Sequence, residues 1–130
     1  NMDLFFHDVG MEGAKRDFPK TVFGLVSIND ISKCFPEDLQ GDILSKLNDS
    51  FPSGFCNCWG VPSGAASVIK RLSVGDAVLL IRTTGGQGDI PALCVVKAYW
   101  KVELLELSRF LWGSDRFPYI FFFNKIYHKK

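Results

Sequence analysis

The chain alternates between short apolar runs and polar punctuation, at spacings that favour strands over long helices. TVFGLVSI at 21–28 is rich in β-branched and aromatic residues and ends in Asn29-Asp30, which predicts a strand followed by a turn. Pro36, with Glu37 and Asp38 behind it, predicts a helix start, since Pro has no amide to leave unpaired and carboxylates suit the positive end of the helix dipole. Leu39, Ile43, Leu44 and Leu47 then fall on one face, Gly41 weakens the helix, and Pro52 places its end at Asp49 to Phe51. FCNCWG at 55–60 reads as a small strand. A second helix follows from Ser63 to Leu72, with Ser63 as cap and a narrow stripe of Ala65, Val68, Ile69 and Leu72.

After the turn SVGD, AVLLIR at 77–82 predicts a strand buried on both faces, and IPALCVVKAYW predicts its return. The glycine-rich TTGGQGD between them makes the pair a hairpin. ELLELSRFLW at 103–112 predicts a third helix with Leu104, Leu107 and Leu111 on one face, and YIFFFNKIY a last strand. Residues 1–18 are weakly patterned: Met2, Leu4, Phe5 and Phe6 can pack on the body, and Gly10 to Arg16 reads as loop. The order β-α-β-α-β-β-α-β predicts an α+β fold, a small curved mixed β-barrel or sheet flanked by helices. The expected division is an N-terminal extension over 1–18 and one domain over 19–130, with no internal repeat.

Composition narrows the class. The 130 residues, 47% hydrophobic and 22% charged, fit one soluble globular domain with a single modest core. No apolar run is long enough to span a membrane, and no basic-then-apolar leader is present, so a cytoplasmic setting is expected. The start Asn-Met-Asp-Leu suggests a domain excised from a larger protein. A net charge of +1 argues against a global basic field, while local clusters remain at Lys15, Arg16 and Lys20, at Lys70 and Arg71, and at Lys125 to Lys130. Of the four cysteines, Cys34, Cys56, Cys58 and Cys94, Cys56 and Cys58 are spaced too tightly for a zinc pair and no second pair follows, so reduced buried thiols and no metal are expected.

Catalytic patterns are missing. There is no GxSxG elbow, P-loop or HExxH, and GGQGD at 85–89 lacks the spacing of a phosphate loop and joins two strands. Asp76 after Gly75 suits a turn, and Glu103 and Glu106 suit a solvated helix face. The expectation is a non-enzyme without cofactor. What remains is aromatic. Trp100 lies in a strand and reads as packing. Trp59 and Trp112 each precede a glycine and polar loop residues, WGVPSG and WGSDRFP, and two rings at loop entrances can form a slot for a flat or cationic group.

The order of these features carries a resemblance. SINDIS at 27–32, the Trp59-Gly60 loop, a helix, VGDAVLLI, and LWGSDRFPYIFFF at the close are similar to the PUA-like superfamily, in its EVE and YTH branch. The similarity spans about residues 20 to 127 and looks closest to the N-terminal modules of McrB-type restriction proteins, which precede a GTPase motor. It implies that Trp59 and Trp112 form an aromatic cage around the methyl group of N6-methyladenine, and that Ser27, Asn29 and Asp30 hydrogen-bond the base. Gly60 stands where YTH domains often carry serine, which leaves only its backbone for the base. The third wall stays open among Leu111, Tyr99 and Phe117.

A base in a duplex must be flipped out to reach such a cage, and cationic side chains around the mouth then hold the backbone; Lys33, Lys70, Arg71, Arg82, Arg116 and Lys125 are the candidates. The implied partner is methylated DNA, carrying N6-methyladenine or a methylated cytosine, together with an attached restriction effector (GTPase motor or nuclease) and no membrane. An RNA-binding PUA-like or ASCH-like module, and a structural protein-interaction domain whose aromatics are core, are the alternatives.

Overall fold

The computed structural model of the chain describes residues 2–65, 69–84 and 87–128, with side chains described except at 11, 82–84, 87–91 and 125–128. Six strands form one mixed sheet: β1 Leu4–Asp8, β2 Val26–Ser27, β3 Phe55–Val61, β4 Ala77–Thr84, β5 Gln87–Tyr99 and β6 Tyr119–His128, in the order β1-β4-β5-β6-β3-β2. β1 runs parallel to β4, and the other pairs are antiparallel. Four helices accompany it among the described residues: α1 Met11–Thr21, α2 Ile28–Ile31, α3 Gln40–Ser50 and α4 Leu105–Trp112. The fold is α+β. The sheet is open, with β1 and β2 at its edges, so of the barrel or sheet that the sequence predicts it is the sheet that forms.

The centre of the sheet is β6. Phe121, Phe122 and Phe123 are each fully buried, and because neighbours on a strand point to opposite faces, both faces of β6 are covered. Phe121 and Phe123 share one face with ring centroids 5.6 Å apart, while Phe122 meets the edge of Trp100 at 5.9 Å on the other. On the first face, Trp59 of β3, Phe121 of β6 and Tyr99 of β5 stand in one cross-strand row.

The second half of the chain follows its hydrophobic pattern. The β4–β5 hairpin, the helix ending at Trp112 and the final strand form where the periodicity puts them. The hairpin tip expected at 85–89 includes residues 85–86, which lie outside the described residues. So do residues 66–68 of the helix expected over Ser63 to Leu72, Val68 of its stripe among them; that segment opens as a 3-10 turn, Ser63–Ala65. The helix expected from Pro36 starts at Gln40, after a turn in which the Leu39 amide donates to the Pro36 carbonyl.

The N-terminal third departs from the sequence reading. The stretch read as loop, Gly10 to Arg16, lies mostly within α1. Gly13 and Pro19 disguise that helix, because both lower helix propensity within eleven residues. Its buried apolar stripe is narrow: Ala14, Phe18 and the C-cap Val22, each four residues apart, with Asp17 and Thr21 buried beside them. Packing against β3, β4 and α4 holds it. The strand expected over 21–28 shrinks to Val26–Ser27, since Thr21 closes α1 and the chain turns back tightly through Gly24. A Cβ at Gly24 would stand 2.6 Å from the Pro19 carbonyl oxygen, so no other residue fits that turn undisturbed.

Two buried polar side chains lock this region. Asn57 of β3 places Nδ2 3.0–3.2 Å from the carbonyls of Thr21, Val22 and Gly24, and so donates to carbonyls that the end of α1 leaves unpaired. Asp76 accepts from the Ser73 amide at 2.8 Å and from the Asp3 amide at 3.0 Å; it shapes the turn before β4 and fastens the chain entering β1. Among the described residues no helix is long and apolar enough to cross a membrane.

Candidate functional site

Trp59 and Trp112, far apart in sequence, meet at one place. β3 presents Trp59 beside Phe121, and α4 ends on Trp112. The helix stops there because Gly113 adopts the left-handed conformation, φ 73°, and its amide donates to the Arg109 carbonyl at 2.8 Å. The loop that follows is tied back by a buried hydroxyl. Ser108 Oγ donates to the Ser114 carbonyl and accepts from the Phe117 amide at 3.2 Å, which sets Phe117 against Trp112. Their rings are 6.2 Å apart and perpendicular, at 89°.

Gly60 lets Trp112 lie directly on the strand. A Cβ at position 60 would stand 2.3 Å from the Phe117 carbonyl oxygen and 2.7 Å from a carbon of the Trp112 ring. Its part in the site is therefore steric, as the platform under the indole.

The two indoles do not face each other across a parallel slot. Their centroids are 5.8 Å apart at 65°, an edge-to-face contact, and Phe18 of α1 meets Trp59 edge-on at 4.8 Å and 77°. Both tryptophans are only 6% exposed. The hollow they line with Gly13, Asp17, Gly60 and Phe117 is a cavity of ≈ 20 Å³, room for about one water and not for a base. Among the described residues the buried Nε1 atoms of Trp59 and Trp112 have no hydrogen-bond partner. Thr21 Oγ1, outside this pocket, is likewise buried without a partner among them.

Asp17 is the component that sequence reasoning missed. Its side chain is 3% exposed and lines this hollow, yet it carries a carboxylate. Arg16 grips both oxygens from outside, Nε at 3.1 Å and Nη2 at 2.9 Å, and Lys20 Nζ stands 3.6 Å away. Gly13, one helical turn earlier on the same face, leaves open space: a Cβ there would meet nothing within 4 Å. These residues escaped notice because their segment reads as loop, where an i, i+4 relation has no meaning. Of the three candidates for a third wall, Phe117 lines the pocket; Leu111 and Tyr99 are half-buried beside the core and are not among its lining residues. The Tyr99 hydroxyl is buried without a partner among the described residues, and its pKa is pushed up to about 12, by burial first and by Tyr119 second.

The other expected contacts lie elsewhere. Ser27 caps α2, its Oγ accepting from the Asp30 amide at 3.4 Å, and Asn29 and Asp30 are exposed. Asn29 lines a separate hollow with Ile28, Ser32, Leu44, Asn48 and Gly54. Ser27 pairs with Phe55, four residues and so about 13 Å of strand from Trp59. Among the cations, Arg116 is exposed next to Phe117, and Lys70 stands 6.0 Å from the centre of the Tyr119 ring. Arg71 lies over Phe5 at the β1 edge, and Lys33 is exposed just beyond α2. The side chains of Arg82 and Lys125 lie outside the description.

Cys56 and Cys58 are buried free thiols held protonated by burial, Cys56 pushed up to about 12. Among the described residues no group of histidine, cysteine and carboxylate side chains is placed to hold a metal ion. Comparison with known proteins brings no relative to the chain: no family model, no curated protein and no solved structure matches it.

Proposed function

We propose that the chain is a non-catalytic reader of a modified base in DNA, N6-methyladenine or a methylated cytosine, and that it targets a restriction effector. On this reading its six-stranded sheet is a PUA-like fold of the EVE and YTH kind. One observation carries the proposal: Trp59 and Trp112, far apart in sequence, converge with Phe117 on a single small pocket.

Capture of a base requires the rings to part. Trp112 swings off Gly60 and Trp59, with Gly113 as the pivot, and the flipped base takes the place of the edge-to-face contact. Unstacking the base costs a few kcal/mol, and each aromatic contact returns about 1–3 kcal/mol. A methyl group adds roughly 0.8 kcal/mol of apolar burial.

The test is fluorescence polarisation with matched oligonucleotides carrying N6-methyladenine, 5-methylcytosine or no modification, in DNA and in RNA. Trp59→Ala and Trp112→Ala are each expected to abolish the preference for the modified strand. If both variants keep it, the cage is elsewhere.

A second reading rests on a different observation. The 6% exposure of both indoles and their edge-to-face contacts suit a purely structural core. A Trp100→Phe variant, whose emission comes from Trp59 and Trp112 alone, separates the two. The reader gives a change in emission on adding the modified strand, and the structural core gives none.

A further inference from the structure

We infer that Asp17 is a specificity-determining residue of this pocket, accepting a hydrogen bond from the exocyclic amino group of the captured base. The inference rests on the base-reader proposal and adds what the aromatic walls cannot supply. A carboxylate placed among tryptophan and phenylalanine rings is costly compared with a neutral residue there, and Asp17 is buried to 3% side-chain exposure. Arg16 and Lys20 approach it from the solvent side of α1 and balance its charge. Each carboxylate oxygen accepts two hydrogen bonds, and among the described residues Oδ2 is met only by Arg16 Nη2, so it keeps capacity for a further donor. The open space at Gly13, one turn away, leaves room beside it.

An ionised carboxylate only accepts. Cytosine offers it the N4 amino group and adenine the N6 amino group, whereas thymine and uracil offer carbonyl oxygens at the corresponding place. A single methyl group on the amine leaves one N–H to donate. Two methyl groups leave none, although they add apolar surface for the rings to cover. Aromatic packing and Asp17 therefore make opposite demands on a dimethylated amine, and that opposition makes the inference testable.

The first experiment uses the unaltered protein. Polarisation is measured with single-stranded DNAs of one sequence carrying adenine, N6-methyladenine, N6,N6-dimethyladenine, thymine or an abasic position at the centre. A parallel set carries cytosine, N4-methylcytosine and N4,N4-dimethylcytosine. In the series that binds, the monomethyl base is expected to bind at least roughly fivefold more tightly than the dimethyl base and than thymine. Equal or tighter binding of the dimethyl base would overturn the role of Asp17 and leave the aromatic reader standing. If every strand binds no better than the abasic one, base capture itself fails and the inference falls with it.

The second experiment repeats the series with Asp17→Ala, which offers the ligand no side-chain acceptor. The gap between monomethyl and dimethyl bases is expected to close to within about twofold. A gap that persists unchanged in a folded Asp17→Ala protein assigns the discrimination to another group and overturns the inference.

Discussion

At the scale of single residues, two glycines bordering the pocket make opposite demands. Gly60 has no room for a side chain, since one of the atoms in its way is backbone and another is the ring of Trp112. Gly60→Ala is expected to destabilise the protein by about 1–3 kcal/mol, the usual range for overpacking, with a change in near-ultraviolet circular dichroism as Trp112 is displaced. Gly13 has open space and an ordinary helical conformation, so Gly13→Ala is expected to stabilise by up to about 1 kcal/mol through helix propensity. Urea denaturation of the two variants checks both signs. Trp59 and Trp112 were legible as candidates because each large ring stands before a glycine and a polar loop. Their orientation was not, because an edge-to-face contact is decided by what lies beneath each ring, Phe18 under one and Gly60 under the other. Asp17 was illegible for a different reason. A lone acid beside Arg16 reads as a surface ion pair until the helix register turns it inward.

At the scale of elements, the strands and helix after residue 76 were readable because each has a long apolar run or a clear period, and Phe121 to Phe123 left no other place for that strand than the centre. The N-terminal elements were not. β1 buries only Phe5 and stays in place by its parallel ladder to β4, a contact between residues more than seventy positions apart. α1 owes its end to Asn57, an amide read as part of a strand and otherwise unremarked. Asn57→Ala is expected to strip the partner from the carbonyls after Thr21 and to destabilise the protein by about 1–3 kcal/mol. Hydrogen exchange is the informative measurement, since the amides of α1 should lose protection more than those of the β4–β5 hairpin. Because α1 carries Gly13 and Asp17, the same variant loosens one wall of the pocket without touching either tryptophan.

At the scale of the whole molecule, the charge distribution bears on how a nucleic acid would be held on the base-reader proposal. A net charge of +1 gives no global attraction, so backbone contacts depend on the few cations near the pocket. Arg16 and Lys20 stand on its α1 side and Arg116 beside Phe117, whereas Arg71 lies at the far β1 edge and Lys33 follows α2, away from the tryptophans. Three phosphate contacts on a single strand release counterions enough for a slope of about −2 in log K against log salt, near 0.7 per contact. Binding of the preferred oligonucleotide, followed by polarisation across a salt series, is expected to give that shallow slope. Arg116→Glu should weaken it further and leave the order of base preference unchanged, because a phosphate contact positions the strand and does not read the base. A slope steeper than about −4 requires at least twice as many contacts, which only a surface extending well beyond the pocket provides. In that case the strand runs over the sheet edge towards Lys70 and Arg71, and the tryptophan pocket is not where binding is centred.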